Sequence, residues 1–246
     1  SSDILFENSQ TRQLGFWDMN GGVVQNWVVL GTYGEGWSVW DTADFTGDGS
    51  DDILFYKSGP NGSEDGYWDI DNGAVTGWIG LGSTGVGTWY VAATGDFSGD
   101  GRADLFFYDV STGATGLWRT NPNGGTTWVS LGSTDTTWKP LWDRGEDFNG
   151  DGNADILWIK NSGTGVQEEI GFWDLDSGAP QWTYIGAVSN GWTTHEAGDF
   201  TGDGTSDVLL KNEATGDVGY WDLNAGGVYG GWTYVGRDEP ADNWFM

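Results

Sequence analysis

The chain has 246 residues and carries 37 acidic against 9 basic side chains, which gives a formal net charge of −28. This charge argues against nucleic acid and anionic lipid surfaces as partners, because no basic stripe is available to bind their phosphates. The lack of cysteine excludes disulfides and thiolate zinc sites, and 18 tryptophans give more burial potential than a disordered acidic protein has.

The beginning of the chain predicts three β-strands. Short runs rich in β-branched and aromatic residues occur at Asp3–Phe6, Phe16–Asp18 and Trp27–Gly31. Gly, Asn, Asp and Ser bound these runs, as is typical of strands joined by tight turns. No segment of the chain shows a sustained helical period, so we expect an all-β fold.

From Trp37 onward, one order of elements recurs four times with a period of about 50 residues. Each unit has a Trp-led run, a nine-residue acidic loop, an apolar run, a Trp-Asp run and a second Trp-led run. The opening runs are Trp37–Phe45, Trp89–Phe97, Trp138–Phe148 and Trp192–Phe200, and the apolar runs are Ile53–Tyr56, Leu105–Tyr108, Ile156–Ile159 and Val208–Leu210. The Trp-Asp runs are Tyr67–Asp69, Leu117–Arg119, Phe172–Asp174 and Tyr220–Asp222, and the last runs are Trp78–Gly82, Trp128–Gly132, Trp182–Gly186 and Trp232–Gly236. Four strands in a unit of this length are typical of a propeller blade.

The four acidic loops predict cation sites. Each loop has Asp at positions 1, 5 and 9, a hydroxyl or amide side chain at position 3, and Gly at positions 4 and 6 that permits a sharp turn with positive φ. Aspartates this close repel one another unless a cation lies between them. Every donor is oxygen, and calcium accepts 6–8 oxygen ligands in irregular geometry whereas magnesium requires a tighter octahedron.

We therefore predict about four bound calcium ions. The side chains at positions 1, 3, 5 and 9 and the main-chain carbonyl at position 7 are the candidate ligands. These residues are Asp44, Thr46, Asp48, Ser50, Asp52, Asp96, Ser98, Asp100, Arg102, Asp104, Asp147, Asn149, Asp151, Asn153, Asp155, Asp199, Thr201, Asp203, Thr205 and Asp207. The loop is not an EF-hand, because position 12 of the first copy is Phe55 rather than Glu and strands flank it. A metal-free turn rich in Asp and Gly is the alternative interpretation.

The segments Gly95–Phe107 and Gly198–Leu210 resemble the FG-GAP/VCBS repeat, the calcium-loop unit of integrin-α-type β-propellers. The resemblance covers nearly the whole chain. In that family the loop joins the innermost strand of a blade to the second strand. The resemblance implies an extracellular, calcium-stabilised propeller, often one module of a secreted bacterial protein, an adhesin or a lectin, but it implies no single activity. Five units are fewer than the seven typical of integrin-like members.

The predicted fold is a five-bladed β-propeller of four-stranded blades that forms a single domain over residues 1–246. The repeats begin near residues 1, 44, 96, 147 and 199. Asn243–Phe245 matches the start of an opening run, so residues 243–246 are expected to complete the first blade by pairing with the N-terminal segments. Such closure would hide two sheet edges that are otherwise exposed.

Fifteen tryptophans occupy three repeated columns. The first is Trp17, Trp68, Trp118, Trp173 and Trp221, the second is Trp27, Trp78, Trp128, Trp182 and Trp232, and the third is Trp37, Trp89, Trp138, Trp192 and Trp244. Packing between sheets is the favoured interpretation of each column. The alternative is sugar stacking on exposed rings, which would make the protein a multivalent lectin. Trp40, Trp142 and Trp158 fall outside the columns.

Departures from the repeat mark further candidates. The opening run at Trp138 is two residues longer than its counterparts and contains Lys139, Pro140, Trp142 and Arg144. A β-bulge is the favoured interpretation and an anion or sugar contact the alternative. The segment Asn161–Glu169 predicts a longer surface hairpin.

Two single residues also stand out. Arg119 replaces the usual Asp of its column, which suggests a pair with a neighbouring carboxylate. His195 is the only histidine, and we expect it to be packed or hydrogen-bonded, because no catalytic triad, phosphate loop or zinc pattern surrounds it.

The sequence favours an extracellular or cell-surface recognition module that binds calcium and a glycan. A protein-binding or structural module of a larger secreted adhesin is the second hypothesis, and a polysaccharide-active enzyme that uses paired carboxylates is the third. We expect no catalysis, no nucleic acid partner, no membrane insertion, and a monomer or one module of a larger chain.

Overall fold

The computed structural model describes residues 3–59, 62–85, 88–141, 144–161, 167–176, 179–189 and 191–238. These residues form five antiparallel sheets and no helix, and the sheets are the blades of a β-propeller. The predicted all-β fold class is therefore confirmed. No helix in this part of the chain has the length and apolar composition needed to span a bilayer.

The strands are numbered in chain order, and each sheet keeps that order from one edge to the other. The first sheet contains β1 (Ile4–Asn8), β2 (Gln13–Asn20) and β3 (Val23–Thr32); the second contains β4 (Ser38–Ala43), β5 (Asp52–Gly59), β6 (Gly62–Asp71) and β7 (Ala74–Gly85). The third contains β8 (Trp89–Gly95), β9 (Asp104–Asp109), β10 (Ala114–Thr120) and β11 (Thr126–Ser133). The fourth contains β12 (Trp138–Pro140), β13 (Ile156–Asn161), β14 (Glu168–Asp174) and β15 (Gln181–Val188), and the fifth contains β16 (Trp192–Gly198), β17 (Asp207–Asn212), β18 (Asp217–Asn224) and β19 (Val228–Arg237).

The first sheet has three strands in the part of the chain that the structure describes. Its predicted fourth strand, residues 243–246, lies outside the described residues, and so does the predicted pairing of the two chain ends. The other four sheets each have the four strands that the repeat predicts.

The expanded run after Trp138 gives a shorter strand than its counterparts. Regular pairing of β12 ends at Pro140, which lacks an N–H for the ladder. Leu141 N still donates to Leu157 O at 2.8 Å, and an isolated bridge then joins Glu146 to Asp155. The extra length therefore falls between the strand and this bridge. Trp142 lies outside the described residues, so the bulge interpretation stays a prediction.

The chain divides into two compact units. The first comprises residues 1–87 with 120–126, and the second comprises residues 88–119 with 127–246. The core of the first unit includes Leu14, Tyr33 and Phe55. The second unit has two clusters, one that includes Phe106, Tyr108 and Trp158 and one that includes Phe148, Ile170, Phe172 and Val208.

In each sheet a glycine two residues before the first-column tryptophan lies beneath the second-column tryptophan of the neighbouring strand. The pairs are Gly15–Trp27, Gly66–Trp78, Gly116–Trp128, Gly171–Trp182 and Gly219–Trp232, and a Cβ at any of these glycines would lie 2.2–2.5 Å from the indole Cζ2. Real side chains never approach this closely, so the indole can lie on the neighbouring strand only because the residue there is glycine.

Substitution of Gly219 tests this contact. A Cβ at Gly219 would lie 2.4 Å from Trp232 Cζ2 and 2.5 Å from Thr233 O. We expect Gly219→Ala to lower the free energy of unfolding by about 1–3 kcal/mol, the usual cost of overpacking. Gly231→Ala, whose Cβ would meet no atom within 4 Å, is the matched control. Equal melting temperatures for the two variants would contradict the packing described here.

Candidate cation loops and exposed tryptophan column

The position-1 aspartate organises each acidic loop. These loops are called the second-sheet loop (residues 44–52), the third-sheet loop (96–104), the fourth-sheet loop (147–155) and the fifth-sheet loop (199–207). In the second-sheet loop, Asp44 Oδ1 accepts from Gly47 N at 2.6 Å and Oδ2 accepts from Gly49 N at 2.8 Å. The two glycines have φ of +77° and +91°, which lets their N–H groups converge on the carboxylate. Asp147 and Asp199 accept from the equivalent glycines.

The position-5 aspartate lies at the exposed tip of the loop and accepts from the N–H of position 7. Asp48, Asp100, Asp151 and Asp203 make this bond at 2.8–3.1 Å. In three loops the residue at position 7 has an uncharged side chain, and in the third-sheet loop it is Arg102. The position-5 carboxylate therefore keeps its other oxygen available for a ligand or an ion pair.

The position-9 aspartate is buried and ties the loop to its sheet. Asp52 Oδ2 accepts from Phe45 N at 2.9 Å, and Oδ1 accepts from Ile70 N at 2.9 Å on the third strand of the sheet. Asp207 repeats both bonds, to Phe200 N and Leu223 N. All four position-9 aspartates are at most 1% exposed. This carboxylate thus has a structural role that loop composition alone does not reveal.

In three sheets a second aspartate lies directly opposite the buried position-9 aspartate. Ile53 pairs with Trp68, so the flanking Asp52 and Asp69 face each other across the two strands. The same register sets Asp155 against Asp174 and Asp207 against Asp222. Like charges directly opposite in an antiparallel pair are destabilising, so this arrangement favours a cation beside them.

These opposite aspartates are functional candidates that the sequence analysis missed. Their signal was present, because the residue after each first-column tryptophan is Asp in the units of Trp17, Trp68, Trp173 and Trp221. By itself, that pattern indicates only a strand. The cross-strand register, which places these residues beside the loops, could not be obtained from the loop motif.

The fourth-sheet loop contains a convergent acidic group. Carboxylate oxygens of Asp151, Asp174 and Asp176 lie within 4.8 Å of one another. Among the described residues, this is the one group of three or more His, Cys, Asp or Glu side chains with that spacing. Asp151 lies at the tip of the loop and is one of the predicted ligands, whereas Asp174 ends β14 and Asp176 follows it.

The electrostatics of the buried aspartates also favour a cation. Burial raises the pKa of Asp52 to about 7, against the lowering effect of its two backbone hydrogen bonds, and the charges of Asp69 and Asp44 raise it further. Burial, together with the carboxylates of Asp174, Asp151 and Asp147, raises the pKa of Asp155 to about 8. A divalent cation would favour the ionised forms and relieve the repulsion.

The donor set fits calcium. The groups that could hold the ion are carboxylates, hydroxyls, amides and main-chain carbonyls, all of which are the hard oxygen donors that calcium takes. In the fourth sheet, Asp151, Asp174 and Asp176 would hold it, with the predicted Asp147 and Asn149 nearby in the loop. In the second and fifth sheets, the loop aspartates with Asp69 and Asp222 are the corresponding sets. The ligand assignments at positions 1, 3, 5, 7 and 9 stay predictions.

All five tryptophans of the second column are at least 40% exposed, and among the described tryptophans of the other two columns the most exposed is Trp17, at 39%. Trp27, Trp78, Trp128, Trp182 and Trp232 are 50%, 45%, 46%, 44% and 40% exposed. In the second to fifth sheets, each packs edge-to-face against a third-column tryptophan, with ring centroids 4.8–5.4 Å apart in the pairs Trp37–Trp78, Trp89–Trp128, Trp138–Trp182 and Trp192–Trp232. In these four sheets, each second-column ring lies on a glycine and contacts a third-column indole at one edge. A large part of the ring stays exposed to solvent.

The remaining candidates have local roles. Trp158 is fully buried, Trp40 is 44% exposed and packs against Tyr56, and Trp142 lies outside the described residues. Lys139 Nζ donates to Tyr108 Oη at 3.1 Å, so its ammonium group is engaged within the sheets. His195 Nε2 lies 2.9 Å from Glu213 Oε1, as the expectation of a hydrogen-bonded histidine requires.

Comparisons with known proteins agree with this architecture. A family model described as an FG-GAP-like repeat matches residues 147–210. The chain is similar to part of the Photorhabdus luminescens Tc holotoxin pore, with a TM-score of 0.56 and 14% identity over 97% of this chain and 11% of that chain. It is also similar to Kuenenia stuttgartiensis hydrazine synthase, with a TM-score of 0.48 and 16% identity over 97% of this chain and 64% of that chain.

A search of curated protein sequences found no match. The matched residues 147–210 span the fourth-sheet loop, β13 to β16 and the fifth-sheet loop, and the same loop-and-strand unit recurs in the second and third sheets. The five sheets form a β-propeller, and residues 147–210 of it match the FG-GAP-like repeat.

Proposed function

We propose that this propeller is an extracellular, calcium-binding recognition module that binds glycans through the second tryptophan column. The observation that carries the proposal is the set of five half-exposed indoles, one in each sheet, each seated on a glycine. A sugar ring offers an apolar face of C–H groups, which stacks on an exposed aromatic ring. A soluble protein that exposes the same large aromatic residue in every repeat has a surface suited to repeated, multivalent contact.

Polar groups beside the indoles suit sugar hydroxyls. Thr76 lies two residues before Trp78 on β7, and its Oγ1 donates to Asp69 O at 3.1 Å. A hydroxyl near an exposed ring can supply one of the few directional contacts that fix a ligand on an apolar platform.

Calcium has a supporting role in this proposal. In each site, the loop carboxylates and the opposite aspartate would hold a divalent cation. The bound ion would fix the loop and the hairpin that follows it in place. Extracellular calcium modules work with dissociation constants of about 10⁻⁴–10⁻³ M, which suits a chain that supplies mixed carboxylate and neutral oxygen donors. We propose that the protein binds glycans without cleaving them, and activity assays on polysaccharide substrates would test this.

A glycan array with calcium present tests the proposal. For a glycan that binds, we expect one site for each column tryptophan. Trp182→Ala should reduce the number of sites by one, and combined replacement of Trp78, Trp128, Trp182 and Trp232 by Ala should weaken binding to the array at least a hundredfold. Truncation of an aromatic anchor typically costs 2 kcal/mol or more, which is about thirtyfold per site.

Trp40→Ala is the matched control, because Trp40 is equally exposed but belongs to no column. We expect it to leave both the number of sites and the affinity unchanged. An array with no bound glycan, or equal binding by wild type and Trp182→Ala, would overturn the glycan proposal. If the variant with four replaced tryptophans does not fold, the number of glycan sites in Trp182→Ala still tests the proposal.

A protein ligand is the second candidate function, favoured by exposed valines on the outer strands. Val23, Val24 and Val29 on β3 and Val228 and Val235 on β19 are 44–61% exposed. Exposed apolar side chains on a strand can take part in protein contacts. Binding to an extracellular surface that survives periodate oxidation of its sugars but not protease treatment would favour this candidate over the glycan.

A further inference from the structure

We propose that the glycan bound by the second tryptophan column is an uncharged polysaccharide whose chain extends along the last strand of a sheet. The inference rests on the glycan binding proposed above and names the class of ligand. The last strands are β3, β7, β11, β15 and β19, and each lies at the edge of its sheet. Two features of these strands carry the inference, namely their lack of charge and two exposed tyrosines.

The strands that hold the second column are almost free of charge. β3, β7, β11 and β15 contain no Asp, Glu, Lys or Arg, and β19 contains one, its last residue Arg237. Charged residues make up 19% of the whole chain. The lack of charge is not a result of burial, because Leu81 and Val188 are the buried residues of these strands and the others are at least partly exposed.

An exposed edge strand without charges is unusual, since edge strands commonly carry charged side chains that prevent pairing with other chains. An uncharged ligand suits such a surface, because no ion on the protein has to be desolvated when the ligand binds. The formal net charge of −28 also repels acidic polysaccharides, which carry carboxylates or sulfates.

Two cations near the column are paired with carboxylates of this chain. Arg237 Nε donates to Asp217 Oδ1 at 2.9 Å. Lys160 Nζ lies 5.5 Å from the centroid of the Trp138 ring and forms an ion pair with Glu169 Oε1 at 3.3 Å. An acidic sugar would have to compete with these carboxylates for each cation.

A third cation lies near the column in the second sheet. Lys57 Nζ is 5.9 Å from the centroid of the Trp37 ring, and Lys57 lies directly opposite Glu64 in the strand pair. The carboxylate of Glu64 offsets the charge of this lysine as well, so the second sheet also favours a neutral ligand.

Two exposed tyrosines extend the aromatic surface along the strand. Tyr184 follows Trp182 by two residues and is 52% exposed, and Tyr234 follows Trp232 by two residues and is 55% exposed. Strand pairing is regular from each tryptophan to its tyrosine, so both rings of a pair lie on one face, about 6.4–6.8 Å apart along the strand. Two rings in succession suit consecutive sugars of one chain better than a single terminal sugar.

The charge of the ligand is tested on the glycan array, followed by titration of the strongest binder at two salt concentrations. We expect the bound glycans to be uncharged. We expect the affinity of the strongest binder to change less than about twofold between about 50 and 500 mM NaCl, because no ion pair with the ligand is screened.

The outcomes separate this inference from the function on which it rests. Carboxylated or sulfated glycans as the strongest binders, or an affinity that falls about tenfold or more in high salt, would overturn the inference and leave glycan binding intact. An array with no bound glycan would instead overturn the glycan proposal itself.

Replacement of the two tyrosines tests the extended contact. Tyr184→Ala combined with Tyr234→Ala is expected to weaken the fourth- and fifth-sheet sites for an oligosaccharide about three- to tenfold, because each site loses one stacked ring. Binding of the corresponding monosaccharide should not change. Tyr184→Phe combined with Tyr234→Phe keeps the rings and should retain the affinity of the wild type for the oligosaccharide.

Tyr90→Ala is the matched control, because Tyr90 is 51% exposed but lies on β8, outside the last strands. We expect it to leave the affinity for the oligosaccharide unchanged. Equal oligosaccharide binding by the wild type and the double Ala variant would contradict the extended contact. An equal loss of affinity for the monosaccharide would show that the tyrosines act on the fold of the site, and it would contradict the extended contact as well.

Discussion

Chelation of calcium with EGTA is expected to lower the melting temperature of the protein by more than about 10 °C. A ligand that binds only the folded state at a hundredfold excess over its dissociation constant stabilises by about 2.7 kcal/mol, so three such sites, one beside each opposite aspartate pair, contribute about 8 kcal/mol. For a chain of this length, 1 kcal/mol corresponds to about 2–4 °C. The physical cause is the loss of the cation that favours the ionised form of buried aspartates such as Asp155, which lies opposite Asp174.

Differential scanning calorimetry in CaCl2, in EGTA and after calcium is added back measures this effect. Addition of KCl to the EGTA sample is the control, because screening relieves general charge repulsion but does not replace a coordinated ion. We expect calcium to restore the melting temperature fully and KCl to restore it only in part. A melting curve that is identical in EGTA and in calcium would refute a stabilising role for the ion.

Asp52→Ala is expected to lower the free energy of unfolding by about 2–6 kcal/mol even without calcium. Its two oxygens accept from Phe45 N and Ile70 N, and a buried donor left without an acceptor costs about 1–3 kcal/mol. The experiment is denaturant unfolding in EGTA at pH 6. Because the pKa of Asp52 is raised to about 7, its carboxyl is then mostly protonated, and relief of repulsion with Asp69 does not mask the loss.

Asp48→Ala is the matched control for this prediction. Asp48 is exposed at the loop tip, where its carboxylate accepts from Ser50 N at 2.8 Å. We expect less than about 1 kcal/mol from its loss in EGTA, since the freed N–H can bond to water. If the two variants were equally stable in EGTA, the position-9 aspartate would have no structural role apart from the ion.

The sequence repeat predicted the strands and loops well because the signals are local. Each loop motif fixes a turn through its glycines, and each apolar run after it, such as Ile53–Tyr56, becomes the second strand of a sheet. The β12 strand ends at Pro140, well before the end of the predicted run Trp138–Phe148, because proline lacks an N–H for the ladder. The predicted closing strand at residues 243–246 lies outside the described residues, so it stays a prediction.

The candidate site depended on information that the loop motif does not contain. The cross-strand register sets Asp69, Asp174 and Asp222 against the loops, and sequence spacing does not encode that register. The dual role of Asp52, as predicted ligand and as acceptor of two backbone hydrogen bonds, depends in the same way on which N–H groups reach it. Similarly, nothing in the repeat of tryptophans predicts that every ring of the second column is half-exposed, whereas exposure in the first column ranges from 9% at Trp118 to 39% at Trp17.

The most direct test of the account is an anomalous difference map from a crystal grown in CaCl2, with data collected where calcium scatters anomalously. The account predicts peaks bonded to carboxylate oxygens in the second-, fourth- and fifth-sheet loops, with the fourth-sheet peak among Asp151, Asp174 and Asp176. No peak beside any of the opposite aspartate pairs, in a crystal with calcium at millimolar concentration, would contradict it.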